Sequence, residues 1–165
     1  LPEGVVAIAD LYRDAIIAHN RSPHNFGELS DATHQARGTN AQCGDHLEIF
    51  LRVSSDGVIE QAAFSGEMCA IAMASASLLT ESLKGVRVDA FADLLRQFHQ
   101  LVGVEEDGCS LLQNPPSTDA IDLGEINALS GLRAYPSRIK SATLAWHAVA
   151  AALAGHSDAS TESSS

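Results

Sequence analysis

The chain is short of positive charge, of cysteine and of long apolar runs. Ten Lys and Arg stand against 21 Asp and Glu, a formal charge of -11 over 165 residues. That field repels a phosphate backbone, so no nucleic acid is expected as a partner, and a partner with a basic surface is favoured. No apolar run reaches the ~18 residues that suggest a membrane span. The stretch "AWHAVAAALAG" is too short and starts beside polar residues, so no membrane is expected either. No secretory-signal pattern is present, and a start at Leu1 is consistent with loss of an initiator Met or of an N-terminal segment. Three cysteines, an odd count, exclude a disulfide scaffold. They point to free or metal-bound thiols in a reducing cytosol, hence a cytoplasmic protein. The chain has no CxxC pair, no HExxH, no GxGxxG or phosphate loop and no GxSxG elbow. Common hydrolase, dehydrogenase and NTPase readings therefore lack support.

What is present suits one domain with a real core: 45% of the residues are hydrophobic. Val5, Ile8, Tyr12, Ala15 and Ile16 recur at helical spacing and predict a helix over 5–18, ended by "HNRSPHNFG". A short strand fits "THQARGT". In "HLEIFLRV", Leu47, Ile49, Leu51 and Val53 alternate to one face; "SSDG" turns the chain and "VIEQAAF" returns as a hairpin partner. Residues 70–83 read as a helix of small residues, with Gly85 as its stop. A further helix fits 89–102, and "GVEEDGCSLLQNPPSTDAIDLG" reads as a loop-rich insertion. Ser137 is the expected N-cap of a last helix, and Gly155 its close. The expected fold class is α+β: a small antiparallel β-meander packed against helices, a single domain over 1–155. Residues 156–165, "HSDASTESSS", are an expected disordered polar tail.

Two places carry candidate chemistry. In Cys43-Gly44-Asp45, residues two apart on an extended chain point the same way, ~6.6 Å apart. Gly44 lets the chain bend so that sulfur and carboxylate converge on one ion; both are zinc or iron ligands. The alternative is a loop Asp beside a half-buried Cys. Cys69 sits where the strand pattern gives way to the helical one, facing the unpaired N–H groups and positive dipole end of a helix. That suits metal binding or sulfur chemistry, and simple core packing is the alternative. His46, next to Asp45, alternates to the opposite face and is a poor ligand candidate.

The ordered motifs "HNRSPHNFG", "NAQCGD", "GEMCAIAMASAS" and "LGEINALSGLRAYPSRIKSATLAW" resemble those of the SufU/IscU family of iron–sulfur cluster assembly proteins, of NifU N-terminal-like type, and most the SufU branch. The likeness spans residues 8–153. One departure matters: where the family pattern has R-x-K-C-A-T-L-x-W, this chain has Ser141 in place of the third cysteine. The serine is either a natural replacement or an introduced one. A neutral hydroxyl is a far poorer zinc or iron ligand than a thiolate. Milder departures are Ala41, Met68 and the altered "HNRSPHN".

The resemblance implies a sulfur acceptor or cluster scaffold served by a SufS-like cysteine desulfurase, with apo iron–sulfur proteins as recipients. It implies zinc, or a transient iron–sulfur cluster, held by Cys43, Asp45 and Cys69, with Cys43 as the persulfide acceptor. Cys109 falls in the insertion, off the family pattern, and reads as a bystander thiol. The competing reading is a degenerate paralogue that docks on the desulfurase and regulates it. A zinc hydrolase would need a general base, and none is apparent beside the ligands.

Overall fold

The structure, a computed structural model, describes residues 14–40, 44–102, 126, 129, 132 and 136–160. A helical stretch, α1 (14–21), leads into β1 (His34–Asn40), β2 (Asp45–Val53) and β3 (Ile59–Glu67). Then come α2 (Ala70–Leu83), a 3-10 turn (Val88–Ala90), α3 (Phe91–Val102), α4 (Pro136–Leu153) and β4 (Asp158–Ser160). The sheet order is β3-β2-β1-β4. β1, β2 and β3 form the expected antiparallel meander, with Ile49 opposite Ala36 on one side and Phe64 on the other. The α+β reading therefore holds.

The alternation of β2 decides which face is covered. Leu47, Ile49 and Leu51 are buried under α2 and α4, together with Ala36, Ala62 and Phe64. The opposite face carries polar Gln35, Arg37, His46, Glu48 and Arg52. Arg52 there bonds Asp31 at 2.7 Å and lies 3.3 Å from Glu60. Phe50 and Ala63, paired across the strands on that face, are nevertheless buried.

Small residues let the helices approach closely. Ala72, Ala74, Ser75, Ala76 and Ser77 of α2 are buried. Ser75 donates to the Ala142 carbonyl at 2.6 Å and accepts from Trp146 Nε1 at 3.2 Å, which locks α2 to α4. Trp146 stacks on Phe98 with ring centroids 4.1 Å apart, which brings α3 against the same helix. Aromatic pairs of this kind contribute about 0.5–1.5 kcal/mol beyond their burial. Ile126, Leu129 and Leu132, between the insertion and α4, also join the core, while the insertion expected to be loop-rich, 103–124, lies outside the described residues.

Four boundaries differ from expectation. α1 continues to residue 21 instead of ending at 18, while its expected first turns, through residue 13, lie outside the described residues. The expected helix over 89–102 is α-helical from Phe91, with 3-10 geometry before it. α4 begins at Pro136, so Ser137 is inside the helix, not its cap. Proline's fixed φ and missing N–H suit the first helical position. Finally, the tail is not wholly irregular. Gly155, at φ +84, ends α4 in a Schellman turn, with His156 N–H on the Ala151 carbonyl at 2.8 Å. The turn carries 158–160 onto the free edge of β1 as a parallel strand. Residues 161–165 lie outside the described residues.

Candidate functional site

One end of the sheet gathers polar side chains beneath the helices. Asp45 opens β2 directly opposite Asn40, the last residue of β1, and both are fully buried. Gly44, at φ +69, makes the left-handed turn into Asp45. β3 runs along the other side of β2 and delivers Cys69, two residues past its end, to the N-cap position of α2. The side chain of Cys69 does not cap the helix. Its backbone N–H instead donates to Asp45 Oδ1 at 2.8 Å, which sets a carboxylate beside the positive end of the helix. Cys69 Sγ lies 4.0 Å from Asp45 Oδ2.

The third element is α4. Gly38 of β1 has no side chain, and a Cβ there would come within 3.1 Å of Leu144 Cδ1. The gap lets α4 lie close on β1, and one turn earlier on the helix Ser141 reaches the end of the strand. Its hydroxyl is fully buried and donates to Asp45 Oδ2 at 2.9 Å. Asn40 Nδ2 donates to the same Oδ2 at 3.3 Å and to Ser141 Oγ at 3.4 Å. Asn40 Oδ1 is buried and has no hydrogen-bond partner among the described residues.

Of the residues singled out in the sequence, the structure thus brings Asp45, Cys69 and Ser141 together. Cys43 and Cys109 lie outside the described residues. His46 is exposed, on the opposite face from Asp45. No group of three His, Cys, Asp or Glu side chains forms a metal cluster among the described residues.

Sequence reasoning quoted Asn40 in its motif but gave it no part in the site. Its pairing with Asp45 follows from the β1–β2 register, which the intervening turn does not reveal. A second polar pair was missed as well. His99 of α3 and His147 of α4 meet through their Nε2 atoms at 3.2 Å. Burial, and then the neighbouring His147, pushes His99 down to about 4; burial lowers His147 also.

Fold and site together define a small α+β protein with an acid–thiol site at one end of its sheet. The chain belongs to the NifU-like N-terminal domain family, which it matches over residues 11–142. It is 36% identical over 139 residues to the zinc-dependent sulfurtransferase SufU of Bacillus subtilis, covering 84% of this chain and 86% of that one. It is 33% identical over 143 residues to the iron–sulfur cluster assembly scaffold protein IscU of Thermotoga maritima, covering 87% and 92%. A hypothetical protein of known crystal structure superposes with a TM-score of 0.72 at 29% identity, covering 88% of this chain and 98% of that one. The N-terminal part of a NifU-like protein from Brucella abortus shares the fold, with a TM-score of 0.66 at 22% identity over 89% and 94% of the two chains. The resemblance to SufU and IscU holds, and the chain is a homologue of iron–sulfur assembly scaffolds and sulfur acceptors. No helix among the described residues is long and apolar enough to cross a membrane.

Proposed function

We propose that the chain is a cytoplasmic sulfur acceptor or scaffold in iron–sulfur cluster assembly. It takes sulfane sulfur from a cysteine desulfurase at a site formed by Cys43, Asp45 and Cys69, and apo iron–sulfur proteins are the onward recipients. The observation that carries the reading is the meeting of Asp45 and Cys69, 24 residues apart, through a 2.8 Å hydrogen bond that aims Oδ2 at the sulfur.

The donor set fits zinc. At a tetrahedral centre, one oxygen and one sulfur ligand stand about 3.6 Å apart, close to the 4.0 Å between Oδ2 and Sγ. The buried, unpartnered Asn40 Oδ1 adds an acceptor that is already desolvated. Cys43, Asp45 and Cys69 would hold the ion, which when bound keeps its thiols deprotonated. A cluster, where one is built, is cargo of the same residues.

In the transfer step, the Cys43 thiolate attacks the terminal sulfur of the desulfurase persulfide. That S–S bond breaks, a new one forms on Cys43, and the desulfurase cysteine leaves as thiolate. The proton stays on the transferred sulfur, and no outside oxidant or reductant is needed. Asp45 stays anchored through Oδ1 to the Cys69 N–H, so the site keeps its shape while Cys43 is engaged.

Incubation with a desulfurase and free cysteine, followed by mass spectrometry, tests the reading. Cys43 gains one sulfur, Cys69 gains less, and Cys109 serves as the control for indiscriminate reactivity. Labelling at Cys109 alone refutes it. The alternative, a docking-only regulator, is favoured by one feature: the hydroxyl at the third ligand position is already engaged by Asp45. Its mark is a change in desulfurase turnover that persists in Cys43→Ser.

A further inference from the structure

Asp45 Oδ2 is the carboxylate oxygen turned toward Cys69, and it is already occupied. Each carboxylate oxygen offers about two lone-pair sites. Oδ2 accepts from the Ser141 O–H at 2.9 Å and the Asn40 N–H at 3.3 Å, with the Cys69 thiol at a longer 4.0 Å. Oδ1 is held by the Cys69 backbone N–H at 2.8 Å. A cation arriving between Oδ2 and the sulfur must therefore displace a hydrogen bond before it gains a ligand. A thiol at position 141 would donate only weakly, so the stronger of the two bonds comes with the serine.

We propose that Ser141 and Asn40 form a latch that closes Asp45 in the metal-free protein and competes with metal, making Ser141 a positioning residue and not a ligand. The inference rests on the reading of this site as a metal site. The same residues supply the opening move. A half-turn of the Asn40 carboxamide exchanges Nδ2 for Oδ1, now buried and unpartnered. That turn withdraws the N–H from Oδ2 and gives the Ser141 hydroxyl an acceptor to rotate onto. Oδ2 is freed and the hydroxyl keeps a partner; the group left unpaired is the Asn40 NH2, moved to where Oδ1 now has none, a cost that the bound metal must offset. A latched site binds metal more weakly and surrenders it more readily than one with three thiolates, which suits a protein that hands its cargo on.

Ser141→Ala separates a latch from a ligand. A ligand's loss lowers zinc affinity; the loss of a latch that competes with metal raises it. Zinc affinity is measured by competition with a chelator, and metal-free melting by calorimetry, on the full chain as parent, Ser141→Ala and Ser141→Cys. Removing a buried hydroxyl bonded to a carboxylate should lower the metal-free melting temperature by roughly 3–8 °C. Zinc should bind Ser141→Ala more tightly than the parent, by up to about tenfold, since one hydrogen bond to a charged group no longer has to be broken. Ser141→Cys should bind tighter still, having a third thiolate. Zinc affinity in Ser141→Ala that does not exceed the parent's overturns the latch, and a tenfold or greater loss makes Ser141 a ligand. Unchanged metal-free melting overturns it as well. If parent and both variants all fail to bind zinc, the metal-site reading falls with it, whereas the two preceding outcomes leave that reading intact.

Discussion

Gly66 should be among the least replaceable residues of the chain, and Gly66→Ala tests how the two strands hold the site. Gly66 sits in β3 opposite Leu47 at φ +129. A Cβ there would overlap the His46 carbonyl oxygen and lie 2.8 Å from Leu47 Cα. Both neighbours are backbone atoms of the paired strand, so no side chain can swing away. The forced φ costs about 1–3 kcal/mol, and prying apart a packed ladder about 1–3 kcal/mol more. Together these lower the melting temperature by roughly 5–15 °C in a domain of this size. The damage is also local to the site, because Asp45 precedes His46 and Cys69 follows Gly66 by three residues. The 2.8 Å bond from the Cys69 N–H to Asp45 must lengthen, and zinc binding must weaken with it. Gly44→Ala is the control. It also has positive φ, +69, but a Cβ there meets nothing within 4 Å, so it costs only about 1–2 kcal/mol. Thermal melts on both variants, and chelator competition on Gly66→Ala, decide the matter. If Gly66→Ala melts and binds zinc like the parent, or melts no lower than Gly44→Ala, the strand-contact argument is wrong.

Other expectations follow from the same structure. Ser75→Ala removes the bond to the Ala142 carbonyl and strands the buried Trp146 N–H; urea denaturation should show a loss of about 1–3 kcal/mol. His99, buried beside His147, titrates near 4 when folded against 6.5 for the free side chain. Between those values the unfolded chain binds the extra proton, so stability is full above pH 6.5 and drains as pH falls toward 4. In melts across that range, His99→Gln should flatten part of the slope; an unaltered slope would exclude the pair as its source. Cys43→Ser and Cys69→Ser should each reduce bound zinc in elemental analysis, and unchanged metal in both would refute the assignment of these thiols.

The sequence by itself determined the parts of this protein that depend on local pattern. The period-2 run Leu47, Ile49, Leu51 specifies a one-sided strand, because a slip by one residue would put its apolar side chains in water. The small-residue run of α2 specifies a helix made for close contact. The turn at Gly44 and the strand-to-helix junction at Cys69 are also local features, but they left core packing of the thiols open, and it was the family resemblance that grouped Cys43, Asp45 and Cys69. What only the tertiary structure decided are the meetings of residues far apart in the chain. Ser141 reads in sequence as a lost ligand. Its engagement with Asp45, 96 positions away, exists because Gly38 admits Leu144 and Ser75 ties α2 to α4. His99 and His147, 48 residues apart, look unrelated until Trp146 draws α3 onto α4. Residues 158–160, Asp-Ala-Ser, have no strand signal of their own and become a strand because the edge of β1 offers unpaired backbone groups. Local propensity cannot register such contacts, because each is made only after packing has placed its partner.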